Sequence, residues 1–140
     1  MLQALRISGA LSMVQADASS LDKVINEGGR GLSGGQRQMV MLSRLILRNP
    51  QVVLLDEPTA SMDEALEEYV IRQLHTWLVG RTLIVVTHRP ALLKLVDRIV
   101  VMDNGRVVAD GPRDKILATA ASNTPVPAVA AATDNRQGAA

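Results

Sequence analysis

The sequence predicts an α/β fold in which two parallel strands are joined by a crossover helix, and three observations predict it. Residues 52–55 form a continuous apolar run that is too short for a helix and suits a strand covered on both faces, as in parallel sheets. Residues 82–87 predict a second buried strand. Between them, every fourth residue is apolar over 63–78, which predicts a helix. A connection of this length implies a parallel pair with a right-handed crossover.

The region before the first strand predicts short helices, a loop and one longer helix. Residues 1–25 alternate short apolar and polar stretches and predict one or two short helices. Residues 26–31 are rich in Gly, which is unfavourable inside a helix, and predict a loop. A helix over 34–48 follows and ends at Asn49, since Pro50 disfavours helical geometry in the residue before it. Apolar positions surround most of this helix and predict that it is largely buried.

Turn and capping residues mark the remaining elements. Ser61, with Glu64 three residues later, forms a capping box that predicts the start of the crossover helix. Pro90 predicts the start of another short helix. Asn104-Gly105 between two apolar segments predicts a hairpin, and a helix near 113–119 follows.

The C-terminal end differs in composition from the rest. From residue 121 onward Ala, Pro, Ser, Thr and Asn dominate, with no periodic pattern that could bury a face. We therefore expect residues 1–120 to be folded and residues 121–140 to form a disordered tail.

Composition excludes several classes of function. With 47% hydrophobic and 21% charged residues, the 140-residue chain is ordinary for a soluble globular protein. A net charge of +1 disfavours nucleic acid as a partner, since a phosphodiester backbone calls for clustered cations. The absence of Cys excludes disulfides and Cys-based metal sites. No apolar run reaches the roughly 18 residues needed to cross a bilayer, so a membrane role requires a partner or a missing segment.

A glycine-rich segment opens the helix predicted over 34–48. It reads Ser33-Gly34-Gly35-Gln36. Unpaired backbone N–H groups and the positive end of the dipole favour an anion at a helix start, and Gly lets a phosphate approach the amides. The alternative is a glycine-rich turn that only caps the helix.

Two adjacent carboxylates, Asp56 and Glu57, follow the first predicted strand, and His88 follows the second. Neighbouring side chains at a strand end point in different directions, so one carboxylate can hold Mg²⁺ through water while the other faces an attacking water as general base. The two roles favour different environments, because a base benefits from a raised pKa. His88 could bind a terminal phosphate. Alternatively, the carboxylates begin a surface loop and His88 is an ordinary surface histidine.

In order and spacing, these segments resemble the ABC-type ATPases. Residues 32–36, 52–57, 60–63 and His88 are similar to the signature, Walker B, D-loop and H-loop of that family. The resemblance extends from about residue 5 to 116. It implies part of a P-loop NTPase domain, with a helical signature subdomain, parallel core strands and a C-terminal hairpin.

The resemblance also implies roles for individual residues and implies the cofactors ATP and Mg²⁺. Ser33, Gly34, Gly35 and Gln36 would bind the γ-phosphate of ATP held by a second ABC ATPase subunit. Asp56 would organise Mg²⁺ through water, and Glu57 would polarise the attacking water. His88 would sense the γ-phosphate, and Asp63 would couple the two composite sites of the dimer.

Within that family the chain looks most like an exporter of bacterial type I protein secretion. Glu27-Gly28 resembles the segment by which exporter ATPase domains contact their transmembrane domain. The sequences of three segments are similar to those of type I secretion ATPases: residues 5–10, 61–63 and 107–112. The resemblance implies a location at the cytoplasmic face of the inner membrane, with a periplasmic adaptor and an outer-membrane channel as further partners.

The chain departs from the family pattern in its phosphate-binding loop. That loop needs G-x-x-x-x-G-K-[ST], and no Gly of this sequence is followed by Lys. The family's Walker A loop, its adenine-stacking aromatic residue and its Q-loop would precede Met1, so the first half of the domain is expected to be missing. Tyr69 and Trp77, the sole aromatics, are expected to be packing groups on the crossover helix. We expect the isolated chain to bind ATP weakly, to lack hydrolysis and to be poorly soluble because of an unpaired strand edge.

Two other functions fit parts of the sequence. A non-catalytic fragment could lend residues 33–36 to a complete ABC ATPase as an interaction or regulatory partner. A DNA-maintenance ATPase also carries a signature motif, but no heptad run precedes Leu32 and the near-neutral charge counts against it.

Overall fold

A computed structural model describes residues 1–16, 21–22, 24–25, 29 and 31–121 of the chain. These residues divide into two units, residues 1–95 and the residues from 96 onward. The predicted membrane-domain contact at Glu27-Gly28 and residues 122–140 of the tail predicted over 121–140 lie outside the described residues. No helix in the described part of the chain is long and apolar enough to span a membrane.

Within the described residues, three α-helices precede the first strand. One or two short helices were predicted over residues 1–25, and the structure has two there, α1 (Leu2–Ile7) and α2 (Leu11–Ala16); α3 spans Gly34–Arg48 as predicted. Helix α3 ends at Asn49, whose φ of 50° places it in the left-handed region that often closes a helix. Only one face of α3 is buried, because Met41 and Leu47 are exposed, so the prediction of a largely buried helix is wrong.

Strands β1 (Val52–Asp56) and β2 (Thr82–Val86) pair in parallel and are connected by helix α4 (Glu64–Trp77), which confirms the predicted unit. Apolar residues of α1, α3, β1 and α4 share one core, to which β1 contributes Val53 and Leu55. The other face of the sheet is exposed: Val52, Leu54, Ile84 and Val86 are 52–69% accessible. The prediction of strands covered on both faces is therefore wrong, since no described element covers that second face.

The cap of α4 also differs from the prediction. The N-cap is Asp63, whose Oδ1 accepts a hydrogen bond of 2.9 Å from the Leu66 amide. Ser61 instead lies in the turn between β1 and α4 and faces α3. The unit ends in a 3₁₀ helix, Pro90–Leu95, where the sequence predicted a short helix.

The second unit is a hairpin followed by a helix, as predicted. Strands β3 (Arg98–Asp103) and β4 (Arg106–Pro112) are antiparallel, and helix α5 spans Arg113–Ala121. The turn residues Asn104 and Gly105 both have positive φ, 46° and 73°, as a type I′ turn requires. Arg98 donates two hydrogen bonds of 2.7 and 2.6 Å to the Asp110 carboxylate across the strands.

Candidate functional site

The start of α3 is closed by a reciprocal cap. Ser33 Oγ accepts a hydrogen bond of 3.2 Å from the Gln36 amide, and Gln36 Oε1 accepts one of 2.9 Å from the Ser33 amide. These two polar side chains therefore serve the helix terminus itself. The Gly34 and Gly35 amides find no acceptor among the described residues, so these two N–H groups are the ones that an anion could bind.

The two glycines also contact the turn after β1, which the sequence did not reveal. A Cβ atom on Gly34 would lie 2.9 Å from Ser61 Oγ, and one on Gly35 would lie 2.8 Å from the Ser61 carbonyl oxygen. Real Cβ atoms essentially never approach so closely. Packing within the chain therefore favours Gly at both positions, against the Ser61 side chain at Gly34 and against the Ser61 backbone at Gly35, in addition to the expected approach of a phosphate.

Glu57 lies directly after β1 in a strained backbone conformation. Its φ is 42°, a region that costs a residue with a side chain about 1–3 kcal/mol and persists only where the surroundings enforce it. The Glu57 amide donates to the Val86 carbonyl at 3.0 Å. Its own carbonyl accepts from the Ala60 amide at 3.2 Å and from Gln38 Nε2 at 3.1 Å. Hydrogen bonds thus hold this peptide on both sides.

The Glu57 carboxylate points to the end of the neighbouring strand. Its Oε1 accepts from the His88 amide at 2.8 Å and lies 2.7 Å from His88 Nδ1, while its Oε2 accepts from Thr87 Oγ1 at 3.2 Å. Partial burial raises the pKa of Glu57, but the hydrogen bonds from the His88 amide, the His88 ring and Thr87 outweigh it. The pKa is therefore lowered from its ordinary value, whereas a raised pKa was expected for a base.

Three of the roughly four acceptor positions of this carboxylate are thereby occupied. The remaining position is on Oε2, which has a single donor, Thr87. The glutamate side chain is 29% exposed, so water can reach it. Glu57 can consequently accept a hydrogen bond from water while it keeps both contacts with His88.

Asp56 and Asp63 are both exposed. Asp56 is the last residue of β1 and pairs in register with Val86. No group of three or more His, Asp or Glu side chains suited to a metal ion occurs within the described residues. A single carboxylate nevertheless fits Mg²⁺, which keeps several waters and commonly takes its other ligands from substrate phosphates. Asp63 is engaged in capping α4.

A polar cluster formed by Thr59, Glu67 and Arg89 was not predicted from the sequence. Glu67, on α4, is 6% exposed; its Oε1 accepts from Thr59 Oγ1 at 2.5 Å and lies 3.2 Å from Arg89 Nη1. Arg89 also donates to the Thr59 carbonyl. The cluster joins the segments that follow β1 and β2, and so fixes Glu57 and His88 relative to α4. The only sequence signal for it was an acidic residue on the apolar face of the predicted helix.

The two aromatic residues, Tyr69 and Trp77, contact other parts of the first unit. Tyr69 Oη donates to the Arg6 carbonyl at 3.0 Å, and the Trp77 ring lies 4.5 Å from the Arg81 guanidinium. Both pack against the core, as expected.

Comparison with known proteins identifies related sequences. The family described as "ABC transporter" matches residues 3–60. The Toxin RTX-I translocation ATP-binding protein of Actinobacillus pleuropneumoniae is 34% identical over 84% of this chain, and the alpha-hemolysin translocation ATP-binding protein HlyB of Escherichia coli is 34% identical over 83%. The ATP-dependent lipid A-core flippase of Thiobacillus denitrificans is 39% identical over 78%.

A solved structure extends the likeness to three dimensions. The structure of a bacterial Atm1-family ABC exporter with ATP bound matches 84% of this chain with a TM-score of 0.75 and 27% identity. The chain spans 16% of the two translocation ATP-binding proteins, 19% of the flippase and 20% of the Atm1-family chain. It therefore aligns with a small part of each.

Proposed function

Because the chain belongs to the ABC transporter family and resembles the ATP-binding domain of type I secretion exporters, we propose that it supplies the C-terminal part of an export ATPase. In this proposal ATP binding and hydrolysis drive export across the bacterial inner membrane, and the chain lies at its cytoplasmic face. The observation that carries the proposal is the contact between Glu57 and His88 at the ends of two adjacent parallel strands.

Glu57 is the general base of the proposed reaction. The carboxylate is ionised at neutral pH, and Oε2 retains a position that can accept the proton of an attacking water. The lowered pKa makes Glu57 a weaker base than a free glutamate, so its contribution in this proposal comes from the position of the carboxylate. His88 holds Oε1 through two contacts and so orients the carboxylate. The imidazole is mostly exposed, at 82%, and its Nε2 can donate to a terminal phosphate when the ring is doubly protonated, since Nδ1–H faces Glu57.

The nucleotide is held between two subunits in this proposal. Asp56 holds Mg²⁺ through water, and the metal neutralises phosphate charge when it is bound. The Gly34 and Gly35 amides, with Ser33 and Gln36 around them, face the γ-phosphate of ATP held by a second ABC ATPase subunit. Asp63 couples the two composite sites.

Tight binding of ATP requires groups beyond these 140 residues. A helix N-terminus contributes only about 0.3–1 kcal/mol, and up to ~2 kcal/mol when partly buried. The sequence contains no G-x-x-x-x-G-K-[ST] loop that could cradle the phosphates. We therefore expect calorimetry on the isolated chain to find no micromolar affinity for Mg-ATP, and such an affinity would contradict this account.

The relatives do not agree on what they transport. Two relatives are named for the translocation of a toxin or a hemolysin, and a third is named as a lipid A-core flippase. All three have similar sequence identity to this chain. We propose the type I secretion assignment, with a transmembrane export domain contacted near Glu27-Gly28, a periplasmic adaptor and an outer-membrane channel. In this proposal cargo selection lies in the membrane domain.

A chimera tests the catalytic proposal. In it, this chain replaces its aligned 116-residue segment of the E. coli alpha-hemolysin translocation ATP-binding protein. We expect the chimera to hydrolyse ATP, and Glu57→Gln to lower kcat by roughly 10²–10⁴ while trapping ATP-bound dimers. Glu68→Gln is the matched control, because Glu68 is exposed and pairs only with Arg72 of the same helix.

Two results would contradict the proposal. Parental turnover of Glu57→Gln would require a different base. A chimera with intact Glu57 that dimerises and binds ATP without hydrolysing it would favour a non-catalytic interaction partner instead.

A further inference from the structure

Gln38 bridges two parts of the site with one side chain. It lies in the first turns of α3, and its amide reaches the turn between β1 and α4. Nε2 donates to the Glu57 carbonyl at 3.1 Å, and Oε1 accepts from the Ser61 amide at 3.0 Å. The donor and the acceptor of the side-chain amide are thus both used, at the two ends of the turn over residues 57–61.

The bond to Glu57 acts on the strained residue of the site. Glu57 has a φ of 42°, and such a conformation relaxes unless its neighbours hold it. On the carbonyl side of Glu57 the Ala60 amide and Gln38 are the donors, at 3.2 and 3.1 Å. Gln38 is the one of the two that comes from another element, so it fixes the turn relative to α3.

We propose that Gln38 is a positioning residue for Glu57, which keeps the carboxylate directed at His88 and at the attacking water. This inference rests on the proposed function of Glu57 as general base. Gln38 acts through the Glu57 peptide, because its amide nitrogen donates to Glu57 and its amide oxygen accepts from Ser61 within the chain. A glutamine suits this position because one planar group must both donate and accept.

Two substitutions separate the two bonds. Gln38→Met keeps the length of the side chain and removes both hydrogen bonds. Gln38→Glu keeps an acceptor for the Ser61 amide but replaces the donor to the Glu57 carbonyl with a repelling oxygen. Gln73→Met is the matched control, since Gln73 is also half-buried but lies on α4, away from the turn.

The first measurement is amide hydrogen exchange of Ser61 in the 140-residue chain, with circular dichroism to verify that each variant is folded. We expect exchange to be about two- to tenfold faster in Gln38→Met, as the loss of one hydrogen bond implies, and near parental in Gln38→Glu and Gln73→Met. Parental exchange in folded Gln38→Met would overturn the bridge. This readout involves no ATP, so it stands or falls independently of the proposed function.

The second measurement is steady-state ATP hydrolysis by the chimera described above. Misplacement of a catalytic group by about 1 Å can cost 10²-fold, so we expect both Gln38 variants to lower kcat by roughly 10- to 100-fold with KM within about twofold. A role limited to stability would leave kcat per folded molecule unchanged. Unchanged kcat in both variants, or a raised KM at parental kcat, would overturn the inference, whereas an inactive parent chimera would count against the proposed function instead.

Discussion

The contact between α3 and Ser61 predicts that alanine at Gly35 destabilises the chain in the absence of any nucleotide. The new Cβ would lie 2.8 Å from the Ser61 carbonyl oxygen, about 0.5 Å closer than the usual carbon–oxygen contact of roughly 3.3 Å. The Cβ position is fixed by the helix backbone and the oxygen belongs to the backbone of the turn, so the helix or the turn must move. Overpacking of this kind costs about 1–3 kcal/mol.

The gain in helix propensity offsets part of that cost. Replacing Gly by Ala in a helix stabilises by about 0.5–1 kcal/mol. We therefore expect Gly35→Ala to lower the free energy of unfolding by roughly 0.5–2 kcal/mol. Urea denaturation of the full chain, followed by circular dichroism at low protein concentration, measures this difference.

Gly34 provides the matched comparison, because its clash involves a different part of Ser61. A Cβ on Gly34 would meet Ser61 Oγ and Cβ, at 2.9 and 3.0 Å, and Ser61→Gly removes both atoms. A double-mutant cycle should therefore give a favourable coupling for Gly34→Ala with Ser61→Gly, on the order of 0.5–3 kcal/mol. The same cycle with Gly35→Ala should give a coupling near zero, since the carbonyl oxygen remains.

Two outcomes would refute this reasoning. Equal couplings in the two cycles would mean that the glycines do not meet Ser61 as the structure has them. Unchanged stability in Gly35→Ala, together with reduced ATP hydrolysis by the chimera, would mean that the glycine serves only the approach of a phosphate.

Three further predictions concern other parts of the chain. Glu67→Ala breaks a buried ion pair and should lower the free energy of unfolding by about 3 kcal/mol, the low end for such pairs because the arginine is 28% exposed; urea denaturation measures it. Asp63→Ala removes the N-cap of α4 and should lower the free energy of unfolding by about 1 kcal/mol, whereas Ser61→Ala should leave this cap intact. Thermal unfolding of the two variants measures the difference in stability. The Arg98 guanidinium holds the pKa of Asp110 below its ordinary value, so the hairpin is stabilised above about pH 4 and loses this contribution as the pH falls further. Hairpin amide exchange should show this pH dependence in the parent and not in Asp110→Asn.

The helices and the parallel pair could be predicted because their signals are local. Helix α3 begins after Ser33 and ends before Pro50, and each residue acts within one turn of its own position. The cap of α4 shows the limit of such signals. Ser61 and Asp63 are both residue types that suit an N-cap. Asp63 is the cap because Ser61 packs against Gly34 and Gly35 of α3 instead.

The contacts of the site depend on how distant segments meet, and residue patterns do not encode this directly. Placement after parallel strands predicted that Glu57 and His88 belong to one edge of the sheet. The bonds that lower the pKa of Glu57 depend on the register of β1 with β2 and on the left-handed backbone at Glu57. Coverage of the strands was mispredicted for a related reason: an apolar run indicates that burial is favourable, but it does not supply the element that covers it.

The contacts with the turn also bear on how the two proposed roles of the chain relate. In the proposed function, residues 33–36 serve a nucleotide held by another subunit, while Glu57 serves the nucleotide bound by its own subunit. Gly34 and Gly35 pack against Ser61, and Gln38 holds both ends of the same turn, so the two groups lie on one tightly packed body. Close-packed interiors transmit displacements of a few tenths of an ångström. The 0.5 Å overlap expected for Gly35→Ala should therefore displace the turn that carries Glu57, and in the chimera a lower kcat should accompany the lowered free energy of unfolding, whereas an effect on the phosphate alone would leave stability unchanged.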